Sequence, residues 1–227
     1  SHLKATLELY SGFGEREVTV GKQKVPLETD ITAALAYGLQ HSIQWKARMV
    51  QFFTGQELIK SGIYLTQPYH PGKIPVVFVY GTSGSPSDWA GAFNALQADP
   101  VVSSHFQFWF LVYNTGNPIA YSGWLLRDGL NKVVHELDPQ GKDPALRDMV
   151  IIGHSQGGLV TKLSAVDSGD KLWALISDKP IDQLNLKPAD RELLSNMLIL
   201  EHSPYVKRVI LACAPNLGSI CVNNLIQ

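Results

Sequence analysis

"MVIIGHSQGGLVTKL", residues 149–163, is an apolar run of strand length that breaks at a serine set among glycines and then continues with helical spacing. A serine at so sharp a strand-to-helix turn holds a strained backbone, so the residues two before and two after it must be small enough for the chain to pass itself. Gly153 and Gly157 satisfy that need, and "GHSQG" fits the pattern G-x-S-x-G. Three fixed positions in five recur by chance in many proteins. The pattern gains weight here because it follows an apolar run and precedes a helix, which makes Ser155 a candidate nucleophile rather than a structural turn serine.

Working outward from this stretch, strand-like and helix-like segments alternate from residue 63 onward, the signature of an α/β domain with a largely parallel sheet. "GIYLTQPY" and "IPVVFVYG" read as strands parted by the turn "HPGK". "SPSDWAGAFNALQADP" reads as helical, with Ser85 as its cap and Pro86 at its first position. "FQFWFLVYNTG" is a strand, "AYSGWLLRDGLNKVVHEL" a long amphipathic helix, "MVIIGHS" a strand, "GLVTKLSAVDSG" a helix and "VKRVILACAP" a further strand. The continuous apolar runs in "IPVVFVY", "MVIIG" and "RVILACA" predict strands buried on both faces by covering helices. Sites in such sheets gather at the carboxyl ends of strands, where Ser155 and the loop after Tyr80 both fall.

Residues 1–60 read as an N-terminal extension packed on a main domain of residues 61–227. "EVTVGKQKVPLETD" is a short alternating piece with a turn. "TDITAALAYGLQHS" and "KARMVQFFTGQELIKSG" read as two helices, the first capped by Thr29 or Asp30 and the second carrying a Met and aromatic stripe typical of core. A polar, helix-prone insertion occupies residues 171–205 and resembles a cap. Its "LWALI" and "LLSNMLIL" offer an acyl-pocket lining, and two ordinary amphipathic surface helices account for the same residues.

Composition narrows the function classes. Hydrophobic residues at 45% and charged residues at 17% match a folded globular protein, and 19 Lys+Arg against 20 Asp+Glu leave a net charge of -1 with no long block of either sign. Nothing steers the chain to nucleic acid or anionic lipid, so a small or neutral partner is expected. Cys213 and Cys221 are too few for a disulfide framework and lack the partners of a zinc site; both read as buried or half-buried thiols, and no metal is expected. No stretch reaches the ~18 apolar residues of a spanning helix. "YGTSGS" lacks the G-x-G-x-x-G spacing of dinucleotide sites, and no G-x-x-x-x-G-K-[ST] loop is present, so no cofactor is expected.

Three stretches together resemble the α/β-hydrolase superfamily, in its bacterial lipase and esterase-like group. "VYGTSGSPSDW" (79–89) is similar to that group's HGT.SSP..W, "GHSQGG" (153–158) to its GHS.GG, and "CAPNLGS" (213–219) to its ATPH.GS. "NTGNPIAYSGWLLRDGL" (114–130) also resembles the group's link between a strand and the following helix. The resemblance covers about residues 60–220 in the right order. It implies an α/β-hydrolase-type sheet with helices on both faces and hydrolysis of carboxylic esters, lipid-like or small, through an acyl-enzyme on Ser155. The N–H of Gln156 and the N–H of Thr82, or of a neighbour in "GTSG", are then the oxyanion donors, with Gly81 letting that loop come close. Export or association with the cell envelope is the group's habit. Tyr80 stands where the group has His, a change expected to alter loop packing and spare the backbone donors, and "PNLGS" replaces "PH.GS".

An elbow serine needs a base, and in this superfamily acid and His follow the serine in that order. After Ser155 the single histidine is His202, just before the last strand and therefore at its amino end, the edge away from Ser155. Residues 212–227 contain no Asp or Glu; Asp167, Asp170, Asp178, Asp182 and Asp190 read as solvated surface carboxylates. His154 abuts the serine but points elsewhere, and His41, His70, His105 and His135 read as structural. The chain is accordingly expected to be the N-terminal part of a longer hydrolase, its sheet incomplete at the C-terminus and its acid and base beyond Gln227. The alternative is a non-catalytic module that keeps the elbow and binds without turnover, or an inactive fragment.

Overall fold

The computed structural model describes residues 7–8, 17–27 and 60–216, and the chain divides into two compact units, Ser1–Ser42 and Ile43–Gln227. In the first, β1 (Glu17–Val20) and β2 (Gln23–Pro26) form an antiparallel hairpin whose turn uses the left-handed Gly21, φ 65°. This is the alternating piece with a turn expected from sequence. The two helices expected over 29–42 and 46–62 lie outside the described residues, apart from the last few of the second; Gly62, expected as its stop, begins a strand.

The second unit is built on a five-stranded sheet. Its strands are β3 (Gly62–Leu65), β4 (Ile74–Val79), β5 (Phe106–Val112), β6 (Met149–His154) and β7 (Val206–Ala212), ordered β3-β5-β4-β6-β7. β3 runs antiparallel to β5, and β5, β4, β6 and β7 are mutually parallel. The helices are α1 (Ala90–Ala98), α2 (Pro100–His105), α3 (Ile119–Leu137), α4 (Gln156–Lys162) and α5 (Pro188–Leu198). The mainly parallel α/β fold read from the alternation is the one observed. A turn of 3-10 helix, Pro86–Trp89, leads into α1; there Ser85 and Asp88 close a capping box, so Ser85 and Pro86 act as the sequence predicts. The short α2, capped by Asp99, covers beyond Pro100 residues that the sequence reading assigns to neither the helix ending there nor the strand from Phe106.

Alternation along β4 and β5 sends side chains to two cores. Val77, Val79, Trp109 and Leu111 join Leu126 and Leu130 of α3 and Val160 of α4 in one buried cluster. Phe78, Phe108 and Phe110 point the other way and meet Phe93 of α1, with ring centroids 5.6 Å apart for Phe93 and Phe108 and 6.2 Å for Phe93 and Phe110. Helical cover on both faces makes β4 a continuous apolar run. β7 departs from expectation: Lys207, Arg208 and Ile210 are exposed, with Ile210 at 50%. It has β6 on one side and no partner strand on the other among the described residues, and while Val206 and Val209 pack against the core, Ile210 lies on the open face. Cys213, expected as a buried or half-buried thiol, is exposed just past that strand; Cys221 lies outside the described residues.

The 171–205 insertion, expected as cap-like, makes its described hydrogen bonds at the end of α4 away from Ser155. Ser203 N–H donates to Ser164 C=O at 2.8 Å, Gly169 bridges Leu200, and Arg127 of α3 donates to Leu163 C=O at 3.0 Å and to Asn196 C=O. In place of two regular helices it contains 3-10 turns at Trp173–Leu175 and Ile181–Gln183, with α5 as its one α-helix among the described residues.

At the amino edge of the sheet Asp143 ties separate loops together. Its carboxylate accepts from Tyr69 Oη, from Gly72 N–H at 2.9 Å and from Ala145 N–H at 3.0 Å. Burial pushes the Asp143 carboxyl up, but these three donors outweigh it and hold it below the ordinary carboxylate value. A lowered carboxylate stabilises the fold above the unfolded pKa of about 4 and loses that effect as pH falls through the folded value. Asp143→Ala is therefore expected to cost about 1–2 kcal/mol at pH 7. The gap from wild type in urea midpoint should narrow as pH falls from about 4 through the folded value; a gap independent of pH would show that the carboxylate charge plays no part.

Candidate active site

The chain order of the strands creates the site. β4 sits centrally, the next parallel strand, β5, is added on one side of it, and β6 on the other, so the direction of winding reverses between β4 and β6. At such a switch point the connections leave the carboxyl ends in opposite directions and a crevice opens. Ser155 stands at that end of β6, and the loop 80–85 leaves β4 beside it.

Ser155 has φ 53° and ψ −124°, one of three described non-glycine residues with positive φ. That backbone costs about 1–3 kcal/mol and persists only where its surroundings enforce it. The enforcement is visible in the glycines. A Cβ on Gly153 would lie under 3.0 Å from Gly157 C=O and Thr161 Oγ1, and one on Gly157 would lie under 3.0 Å from the carbonyl oxygens of Val79 and Tyr80. Ser155 N–H donates to Ala212 C=O of β7 at 3.0 Å, and Gly158 N–H donates to Ser155 C=O at 2.9 Å.

A serine one residue before a helix is ordinarily its cap, accepting a hydrogen bond from the first turn. Ser155 makes no such bond. With φ positive, the Oγ has no hydrogen-bond partner among the described residues, and the side chain remains half-exposed.

Gly81 lies directly against it. A Cβ at Gly81 would approach Ser155 Cβ to 2.8 Å and Oγ to 3.3 Å, so hydrogen alone fits between loop and serine. The loop 81–84 closes on itself through Gly84 N–H to Gly81 C=O at 3.0 Å, with Ser83 at φ 56°. Thr82, at its tip, is exposed, and its Oγ1 donates to Gln156 Oε1 at 2.7 Å. The structure thus brings Ser155, Gln156, Thr82, Gly81, Gly153 and Gly157 into one cluster. The N–H of Gln156, first residue of α4, is one of the donors a helix start leaves without an internal acceptor.

Sequence reasoning did not find what joins β5 to this cluster. Tyr80 and Tyr113 end adjacent strands, and their rings stack with centroids 4.9 Å apart. Tyr80 Oη donates to Tyr113 C=O at 2.7 Å and accepts from Tyr113 N–H at 2.8 Å, while Tyr113 Oη donates to Tyr80 C=O at 2.7 Å. Burial, and secondarily the neighbouring Tyr80, pushes the Tyr113 phenol far above its usual range, so that ring stays a neutral donor. Tyr80, noted in sequence only as a replacement for His, clamps the two strand ends. Tyr80→Phe leaves a buried N–H and a buried C=O of Tyr113 unpartnered, and is expected to cost about 2–3 kcal/mol in urea unfolding; a loss under 0.5 kcal/mol would mean another group takes over.

His202 pairs with Asp167: Nδ1 lies 2.9 Å and 3.1 Å from the two carboxylate oxygens, and His202 N–H donates to Asp167 Oδ1 at 2.7 Å. The backbone donor first, and then the imidazole, hold the Asp167 carboxyl below its ordinary value. An oriented His–Asp pair is half of a triad in appearance. It precedes β7, however, while Ser155 follows the parallel β6, so the two sit at opposite edges of the sheet, roughly 20 Å apart or more for a strand of this length. His154 is exposed and turns its ring edge-on to Trp89, centroids 6.4 Å apart. No His, Cys, Asp or Glu grouping among the described residues can hold a metal ion, and no helix there is long and apolar enough to cross a membrane.

No protein-family model matches the chain, and no curated protein matches it. Among solved structures, the mature form of Bacillus licheniformis lipase BlEst2 matches at 20% identity and a TM-score of 0.42, over 73% of this chain and 51% of that one. Propionate-bound Est2 of Thermogutta terrifontis, a thermophilic esterase, matches at 18% identity and a TM-score of 0.38, over 72% and 54%. An acetyl xylan esterase matches at 18% identity and 0.37, over 65% of each chain. The chain spans about half the length of the lipase and of the thermophilic esterase.

Proposed function

We propose that the chain carries the nucleophile and oxyanion hole of a carboxylic ester hydrolase. One observation carries the reading: Ser155 is locked at φ 53° in a strand-to-helix turn, withheld from capping, at the carboxyl end of β6 where the direction of winding reverses. Ester substrates, small or lipid-like, are the class that the motif resemblance of residues 79–89, 153–158 and 213–219 implies.

In this mechanism Ser155 Oγ attacks the acyl carbonyl as its proton passes to a general base, the C–O bond to the leaving alcohol breaks, and the alcohol takes the proton. Water then cleaves the acyl-enzyme by the same path in reverse. The tetrahedral oxyanion is held by the N–H groups of Gln156 and Thr82, each worth about 10²–10³ in kcat. Ser155 N–H is already committed to Ala212, which leaves the next residue in the helix to donate. The base is a residue outside the described ones, because His202 is held by Asp167 at the other edge and His154 packs on Trp89. That same placement favours a second reading, a binding module that keeps the elbow without turnover.

Intact-mass analysis after a fluorophosphonate probe separates the two. The hydrolase reading expects a single adduct on the 227-residue chain that is lost in Ser155→Ala. No adduct on the folded chain means that Ser155 is idle in it, as in an inactive fragment or a binding module.

A further inference from the structure

We infer that the Gln156 side chain is a positioning residue that sets the Thr82 amide against Ser155. The hydroxyl of Thr82 serves in that strap and does not itself donate to the oxyanion. The inference rests on the hydrolase reading for its purpose, but the strap itself stands on geometry alone.

Three loops leave the carboxyl edge separately: 80–85 after β4, 113–118 after β5 and the elbow after β6. Four hydrogen bonds close them into a ring. Thr82 Oγ1 donates to Gln156 Oε1 at 2.7 Å, Gln156 Nε2 donates to Thr115 C=O at 3.0 Å, and Ser83 N–H donates to Thr115 Oγ1 at 2.9 Å. Gly84 N–H to Gly81 C=O at 3.0 Å completes the turn that contains Thr82 and Ser83. Chemistry settles which end of the Gln156 amide faces which loop. Thr115 C=O can only accept, so the amino group must face it, and the carbonyl oxygen is left to take the Thr82 proton.

Two consequences follow for the oxyanion hole. Once donated to Gln156, the Thr82 hydroxyl proton is not free for substrate, so the hole consists of backbone donors. In addition, an exposed loop tip, which alone would wander, is fixed to the same residue whose N–H supplies the other donor. Oxyanion donors must be held to within about 0.5 Å, and a position set through one residue moves both donors together. A methyl-bearing neighbour cannot do this by contact, because Gly81 leaves room for hydrogen alone beside Ser155.

The test is amide hydrogen exchange on the full chain, read at Ser83, Gly84 and residues 113–117 against the β4 amides as an internal standard. Gln156→Leu and Thr82→Val are expected to speed exchange in the loops about tenfold while β4 is unchanged, and Thr82→Ser, which keeps the hydroxyl, to restore protection. Gln156→Glu still accepts from Thr82 but cannot donate to Thr115, so it should loosen 113–117 more than 82–84. In parallel, the fluorophosphonate labelling rate should fall in Gln156→Leu and recover in Thr82→Ser relative to Thr82→Val. Loop exchange equal to wild type in both Gln156→Leu and Thr82→Val overturns the strap. So does a labelling rate in Thr82→Val equal to that in Thr82→Ser. A wild-type chain left unlabelled shows that Ser155 is not activated in this chain, which counts against the catalytic purpose of the strap and not against the strap itself; the exchange result still decides that.

Discussion

Gly157→Ala is expected to destabilise the protein by about 3–5 kcal/mol, the upper end for a single added methyl group. The new Cβ would fall under 3.0 Å from the carbonyl oxygens of Val79 and Tyr80, which belong to the central strand and its end and not to a movable side chain. Relief would require α4 to lift from β4, breaking the contact that carries Val160 into the core. Gly153→Ala meets backbone at Gly157 in the same way and is expected to behave alike. Gly91→Ala in α1 is the control: nothing lies within 4 Å of its Cβ, so it should be neutral or gain up to about 1 kcal/mol of helix propensity. In thermal unfolding the difference between Gly157→Ala and Gly91→Ala should be roughly 10 °C or more. Similar melting temperatures would mean that the strand and helix are not in this close approach.

The second large effect is on chemistry, at Ser155. Ser155→Ala is expected to abolish the phosphonyl adduct and lower ester hydrolysis by at least about 10⁴-fold, since nothing else can carry the acyl group. It should leave stability near wild type, because alanine inherits the same φ of 53°. Ser155→Gly removes the adduct too, yet it relieves a backbone strain of about 1–3 kcal/mol against a glycine entropy cost of roughly 0.5–1 kcal/mol. The glycine variant should therefore melt higher than the alanine variant by the equivalent of about 1 kcal/mol. A more stable glycine variant is the mark of backbone strain held at position 155. If the two variants melt together, the turn is not strained and Ser155 loses its structural distinction from an ordinary turn serine.

Much of the frame was legible along the chain. The apolar runs 74–79 and 149–154 announce central strands because helices cover both their faces, and the glycines at 153 and 157 announce the turn because close backbone approach tolerates no Cβ. Ser85 and Pro86 mark a helix start by local chemistry that needs no tertiary partner. Where a property depended on distant neighbours, sequence was silent or misled. The apolar run "RVILACA" predicts a buried strand, yet β7 has a partner on one side only among the described residues, and Ile210 is half-exposed.

Residue types, spacing and local turns thus pointed to a serine in an elbow after a parallel strand, flanked by Gly153, Gln156 and Gly157, while Thr82 and Gly81 entered only through the motif resemblance. Tertiary structure decided everything that required two loops to meet. It placed Tyr80 on Tyr113 and Gln156 between Thr82 and Thr115, partners 33 to 74 positions apart in sequence that no local pattern connects. It also set the oriented pair of His202 and Asp167 at the opposite edge from Ser155. Strand direction and order determine which ends share an edge, and those are properties of the whole sheet and not of any one segment.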